Sequence, residues 1–171
     1  MKDARKWLLS ACLATPLALS SCGFHPLYAP SGATNEALDE VYVDIIPNRN
    51  GQLLRQSLQD RLNTSDSGTK KYVLAVNYAV SSEAIGIQAD TSSNRTRVIG
   101  TAHWTLKQPG LFGAKVTSGT ARSVDGADVL DAQFFYASLA GQAIDRRMGD
   151  ALADQIAESL AAFFRAHPDR A

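Results

Sequence analysis

The chain has 171 residues with 17 basic and 17 acidic side chains, a formal net charge of zero, and 45% hydrophobic residues. A near-neutral chain without a basic run is a poor candidate for nucleic acid, whose binding rests on neutralising phosphates. Its two cysteines, Cys12 and Cys22, are too few for a disulfide framework.

The chain opens with a cationic head, Lys2, Arg5 and Lys6, followed by an apolar stretch from Trp7 to Leu19 interrupted at Thr15-Pro16. That is the layout of a secretory leader, whose apolar part runs about 7–15 residues and ends in small residues. A membrane-spanning helix needs about 20 apolar residues, so the stretch is too short to be one. Leu19-Ser20-Ser21-Cys22 resembles the bacterial lipobox. In proteins with that signature the cysteine thiol is diacylglycerylated, the leader is cut before it, and the new amine is acylated. Residues 1–21 are therefore expected to be a signal peptide and Cys22 the lipid attachment site, with no other cofactor. Loss of the leader removes Cys12, which leaves Cys22 without an intrachain partner. One acyl chain binds only marginally, at about 0.8 kcal/mol per buried CH₂, whereas three anchor durably. Gly23, rather than Asp, follows the cysteine, and the sorting rule for such lipoproteins then implies the outer membrane.

What remains is about 150 residues, enough for one domain and too few for two. Residues 22–39 read as the lipidated cysteine and a polar tether, and residues 40–166 as a single α/β domain. Val41 to Ile46 predicts a short β-branched strand stopped by Pro47. Asn48 or Asn50 is then placed to cap a helix through Thr64, with Leu54, Leu58 and Leu62 along one face. After the turn at residues 65–70, Tyr72, Leu74, Val76, Tyr78 and Val80 alternate onto one apolar face of a strand, opposite Asn77 and Ser81. A second alternating strand follows between Arg95 and Lys107. Val98, Ala102, Trp104 and Leu106 point one way, and Arg97, Thr101, His103, Thr105 and Lys107 the other. Gln108-Pro109-Gly110 turns into a more polar strand from Lys115 to Val124.

The last element is the longest, a helix from Gln133 to Phe164 that at about 1.5 Å per residue extends over 45 Å. Ala140, Ile144, Met148, Leu152, Ile156, Leu160 and Phe164 recur every four residues. Such a row drifts around a straight helix, so the helix is expected to cross the sheet at an angle or to bend at Gly141 or Gly149. Arg146, Asp150, Asp154 and Glu158 make its solvated side. The expected fold is α/β (α+β): a two-layer sandwich of an about four-stranded mixed sheet with two helices on one face, in the order β-α-β-β-β-α. The face carrying Asn77, Arg97, Thr101, His103 and Lys107 is left uncovered.

No catalytic constellation accompanies this fold. His25, His103 and His167 are scattered, with neither the HExxH spacing nor a free cysteine to hold a metal. Ser67-Gly68-Thr69-Lys70 matches an SxxK pattern but sits in a helix-to-strand turn without its companion motifs. Asp128 and Asp131 precede the long helix, where carboxylates favour a helix start. The expectation is a protein that is not an enzyme.

Cys22 to Tyr28, CGFHPLY, resembles the Cys-Gly-Phe-x-Pro-Leu-Tyr start of the LPS-assembly lipoprotein LptE (RlpB) family, especially its alphaproteobacterial branch. The order of elements and the Ala-rich close ADQIAESLAAFF agree with it. The resemblance implies an outer-membrane lipoprotein, facing the periplasm or lodged in a barrel lumen. With an LptD-type β-barrel as partner it would assemble lipopolysaccharide in the outer leaflet and bind that lipid itself. For contacts to lipid phosphates the candidates are Arg95 and Arg97 beside the 89–94 loop, then Lys107 and Lys115 around the next turn. The alternative is an auxiliary outer-membrane lipoprotein of an envelope transporter, like PqiC.

Overall fold

In the computed structural model, which describes residues 33–62, 70–87, 93–110, 112–128 and 134–170, the strands are β1 (Val41–Val43), β2 (Tyr72–Ile87), β3 (Ser93–Lys107) and β4 (Lys115–Asp128). The helices are α1 (Ala33–Asp39), α2 (Asn48–Arg61) and α3 (Phe134–Ala166), closed by a 3₁₀ turn at Pro168–Arg170. The sheet has the order β1-β2-β3-β4, with β1 parallel to β2 and the other pairs antiparallel. The mixed four-stranded sheet and the β-α-β-β-β-α core order are as the sequence predicts.

The polar tether read over residues 22–39 needs correction. Its closing segment is α1, with Ala37 and Leu38 buried among the core residues, so the packed unit begins at Ala33 rather than at residue 40. Two adjacent buried side chains are too few for a periodicity to show, but they suffice for a short helix to dock. The first strand is also shorter than Val41 to Ile46. Asp44 Oδ1 accepts a hydrogen bond from the Ile45 backbone N–H at 2.8 Å, a local contact that competes with the ladder. The asparagine caps do not form either. Pro47 occupies the N-cap position of α2 without a side-chain bond, and Asn48 takes a left-handed φ of 68°, which Asn tolerates. Asn50 instead donates from Nδ2 to Asp145 Oδ1 on α3 at 3.2 Å, tying the two helices together.

Leu54 and Leu58 of α2 and its C-cap Leu62 are buried, as are Ile144, Met148, Leu152, Ile156, Leu160 and Phe164 of α3. Ala140, the first residue of that predicted row, is exposed. Leu54, Leu58, Leu62, Leu152, Ile156, Leu160 and Phe164 meet Tyr72, Leu74, Val76, Ala102, Trp104 and Leu106 of the sheet in one cluster. The helix runs through both of its glycines as one 33-residue element. At Gly149 an added Cβ would lie 3.5 Å from the Leu54 backbone nitrogen, an ordinary van der Waals contact, so α3 meets α2 here. Asp154 on the outer side is engaged by both Nε and Nη2 of Arg61, which raises the Arg61 pKa chiefly through that hydrogen bond.

α3 also reaches the free edge of the sheet. Gln155 Oε1 accepts from the Arg122 backbone N–H and its Nε2 donates to the Arg122 carbonyl, both at 3.1 Å. A side chain thus occupies one step of the β4 edge ladder, where an added strand would otherwise pair.

Candidate functional site

Alternation along paired strands sends every second side chain to each face. The residues opposite the helices are Asn77 and Glu83 on β2, Arg95, Arg97, Thr101, His103 and Lys107 on β3, and Thr120 on β4. The register aligns them in rows across the sheet: Asn77 with His103 and Thr120, and Glu83 with Arg97. Asn77, Arg97, His103 and Lys107 are exposed, and Thr101 is half-buried by its neighbours. The face that the sequence leaves uncovered is therefore uncovered by the described residues. His103 Nδ1 lies 3.0 Å from Thr120 Oγ1, a contact between exposed strand residues.

At one end of this face the strands frame a hollow of about 390 Å³ lined by Ile85, Arg95, Thr96, Arg97, Val124, Asp125 and Gly126. Its depth depends on Gly126, which pairs with Arg97 and leaves no side chain beside it. A Cβ there would sit 3.2 Å from the Thr96 carbonyl and 3.8 Å from Arg95 Nε. Charge in the hollow is partly balanced. Arg97 Nη1 is 3.9 Å from Glu83 Oε2, a loose pair with both side chains about half exposed. Asp125 is taken by Arg147 of α3, whose Nε and Nη2 lie 2.9 and 2.8 Å from Oδ2. With Asp125 engaged from the helix side, two guanidinium groups border a pocket open to solvent. Such forks match phosphate or carboxylate oxygens in pairs.

The four basic candidates form two pairs. Arg95 and Arg97 meet at the hollow; Lys107 and Lys115 are register partners at the far end of β3 and β4, both exposed. Ten residues separate Arg97 from Lys107, a span of about 33 Å at strand rise. One phosphorylated headgroup cannot touch both pairs. Sequence reading misses Gly126, Asp125 and Arg147, because strand register brings Gly126 beside Arg97 and the packing of α3 on β4 brings Arg147 to Asp125.

Among the described residues the remaining motifs supply no rival site. Cys22 and the CGFHPLY segment lie outside the described residues, as do Ser67 and Asp131. Lys70 Nζ donates to the Asp39 carbonyl at 2.8 Å, a fold contact joining the segment just before β2 to α1. Among the described residues there is no group of His, Cys, Asp and Glu able to hold a metal, and no helix is long and apolar enough to cross a membrane.

Comparison with known proteins adds the following. Residues 38–160 match the family described as LptE: Lipopolysaccharide-assembly. A Caulobacter crescentus CB15 protein assigned as a lipoprotein has a similar fold, with a TM-score of 0.62 at 22% identity over 79% of this chain and 97% of its own. Rare lipoprotein B of Shewanella oneidensis superposes with a TM-score of 0.55 at 13% identity, covering 72% of this chain and 92% of its own. The corresponding values for lipoprotein B of Nitrosomonas europaea are 0.56, 14%, 74% and 87%. At such identities these structures speak for the fold alone. No curated protein matches the chain by sequence.

Proposed function

Given that the chain belongs to the lipopolysaccharide-assembly LptE family, which is non-enzymatic, we propose that it works as an outer-membrane lipoprotein partnered with an LptD-type β-barrel. In this reading Cys22 carries the lipid, the domain occupies the barrel lumen, and the pair delivers lipopolysaccharide to the outer leaflet.

The observation that carries the reading is the long polar sheet face ending in the arginine hollow. Barrel lumens are lined by polar groups, and the apolar band around such barrels is about 25 Å tall. β2 has 16 residues, about 50 Å at strand rise, so one sheet spans that height and leaves its polar face against the lumen wall. Arg95 and Arg97 then meet lipid phosphates at one end, while Lys107 and Lys115 lie too far off to share the same headgroup. No catalysis is required, only charge-assisted hydrogen bonds to an anion that must be released again.

Purification of the tagged lipoprotein from detergent-solubilised outer membrane tests this reading. The expected result is a stoichiometric large β-barrel, together with fatty-acid labelling that Cys22→Ala abolishes. Labelled protein that brings down no barrel would favour the transporter-auxiliary alternative.

A further inference from the structure

The end of the sheet away from the arginines carries a second built feature. Residues 108–114 join β3 to β4 in a turn held by Gln108 N–H donating to the Ala114 carbonyl at 3.0 Å and Gly113 N–H donating to the Gly110 carbonyl at 3.2 Å. Gly110 has a φ of +117°, which L side chains rarely adopt, and a Cβ at Gly113 would overlap the Gln108 carbonyl. Both glycines are needed, so the backbone sets the shape of the turn. What the turn displays is Phe112, 94% exposed and the most exposed large hydrophobic side chain among the described residues.

Position and charge point to one occupant. Lys107 and Lys115 pair at the base of the turn, and the segment from 107 to 115 contains no acidic residue. Val73 pairs with Lys107 and Tyr72 with Val41, so the turn lies at the end where the chain enters the sheet from α1. Cys22 precedes Ala33 by eleven residues, a reach of at most about 40 Å. The tether from a lipid on Cys22 would therefore join the fold at this end, nearer Lys107 and Lys115 than the arginines.

We propose that Phe112 docks into the interfacial layer of an anionic phospholipid membrane beside the lipid anchor, with Lys107 and Lys115 over the headgroup phosphates. The inference rests on the reading of Cys22 as lipidated. Aromatic rings settle at headgroup depth, and flanking cations add attraction to anionic lipid. Either contact alone is weak, but with the anchor already in the same bilayer the second becomes intramolecular. Two attachments orient the sheet where a single tether would let it turn. The arginine hollow is then directed away from the leaflet that holds the anchor.

The test uses full-length lipidated protein in vesicles of phosphatidylethanolamine and phosphatidylglycerol. Phe112→Cys carries an environment-sensitive fluorophore, and Ser82→Cys serves as the control at the other end of β2. The proposal predicts a blue-shifted label at position 112 that is quenched by lipids spin-labelled near the headgroup. Combined Lys107→Glu and Lys115→Glu should at least halve that quenching, while the label at 82 stays water-like. A water-like label at 112 on protein that floats with the vesicles overturns the proposal. So does shielding that appears only when the purified barrel is added, which would give the tip a protein partner. Protein that does not float at all refutes the lipidated Cys22 and takes the inference with it.

Discussion

From Tyr72 to Val76, alternate side chains of β2 are buried under the helices; from Ala79 to Ala84, every side chain is exposed. The same strand thus belongs to two regions of different physical character. At the packed end, α1, α2, the close of α3 and the start of β2 share one apolar cluster. Tyr72 adds a ring contact with Phe164 at 5.4 Å and a hydroxyl bond to the Arg170 carbonyl at 2.7 Å. At the projecting end the β2–β3 ladder continues to Ile87 and Ser93, past the reach of the α2 cover. The cause is length. α2 has 14 residues, about 21 Å of helix, whereas the 16 residues of β2 extend about 50 Å. Stability is concentrated where helix and strand overlap, and the surface available for binding lies where they do not.

The largest expected effect falls at the packed end. Leu152→Ala removes a fully buried side chain and should cost about 2–5 kcal/mol, read as a lowered midpoint in denaturant. On the same helix, Asp154→Ala breaks the exposed pair with Arg61 and should cost under about 1 kcal/mol. Equal costs would mean that the two faces of α3 are misassigned.

Gly119→Ala probes the sheet side of that core. Its Cβ would come within 2.6 Å of the Trp104 ring, and the indole is 95% buried, leaving little room to yield. Overpacking of this kind typically costs about 1–3 kcal/mol. A neutral substitution would show that the packed end is looser than its burial indicates.

The division between the ends also explains what could be read from the sequence. Leu54, Leu58 and Leu62, the alternation around Trp104, and the four-residue row from Ile144 to Phe164 were legible because burial imposes a period. Ala140 fits the row but is exposed, since α3 begins beside the projecting end, where nothing covers it. Val80 fails in the same way, continuing the alternation of β2 but lying 40% exposed. The pattern records which way a side chain faces, not whether another layer reaches it. α1 was missed because its two buried residues, Ala37 and Leu38, are adjacent and make no period. The asparagine caps failed because a cross-helix bond claimed Asn50. Of the candidate site, the arginines and the open face were legible, while Gly126 depended on register between strands and the Asp125–Arg147 pair on how α3 packs against β4.

The smallest effect on stability should accompany the largest effect on binding. Arg95→Ala combined with Arg97→Ala changes exposed side chains of the projecting end, and surface changes usually stay within about 0.5 kcal/mol. Unchanged denaturant midpoints would therefore confirm that this end contributes little to the fold. A loss of a kilocalorie or more would place the arginines in the stabilising framework.

The most direct test of the account is lipopolysaccharide binding by the purified protein, comparing this double variant with one in which Lys107 and Lys115 are both changed to Ala. Losing one charge-assisted hydrogen bond costs about 1.5–3 kcal/mol, so the arginine variant should bind at least about tenfold more weakly. The lysine variant, altered about 33 Å away, should stay within about twofold of wild type. Wild-type affinity in the arginine variant, or an equal loss in both, would contradict the assignment of binding to the projecting end.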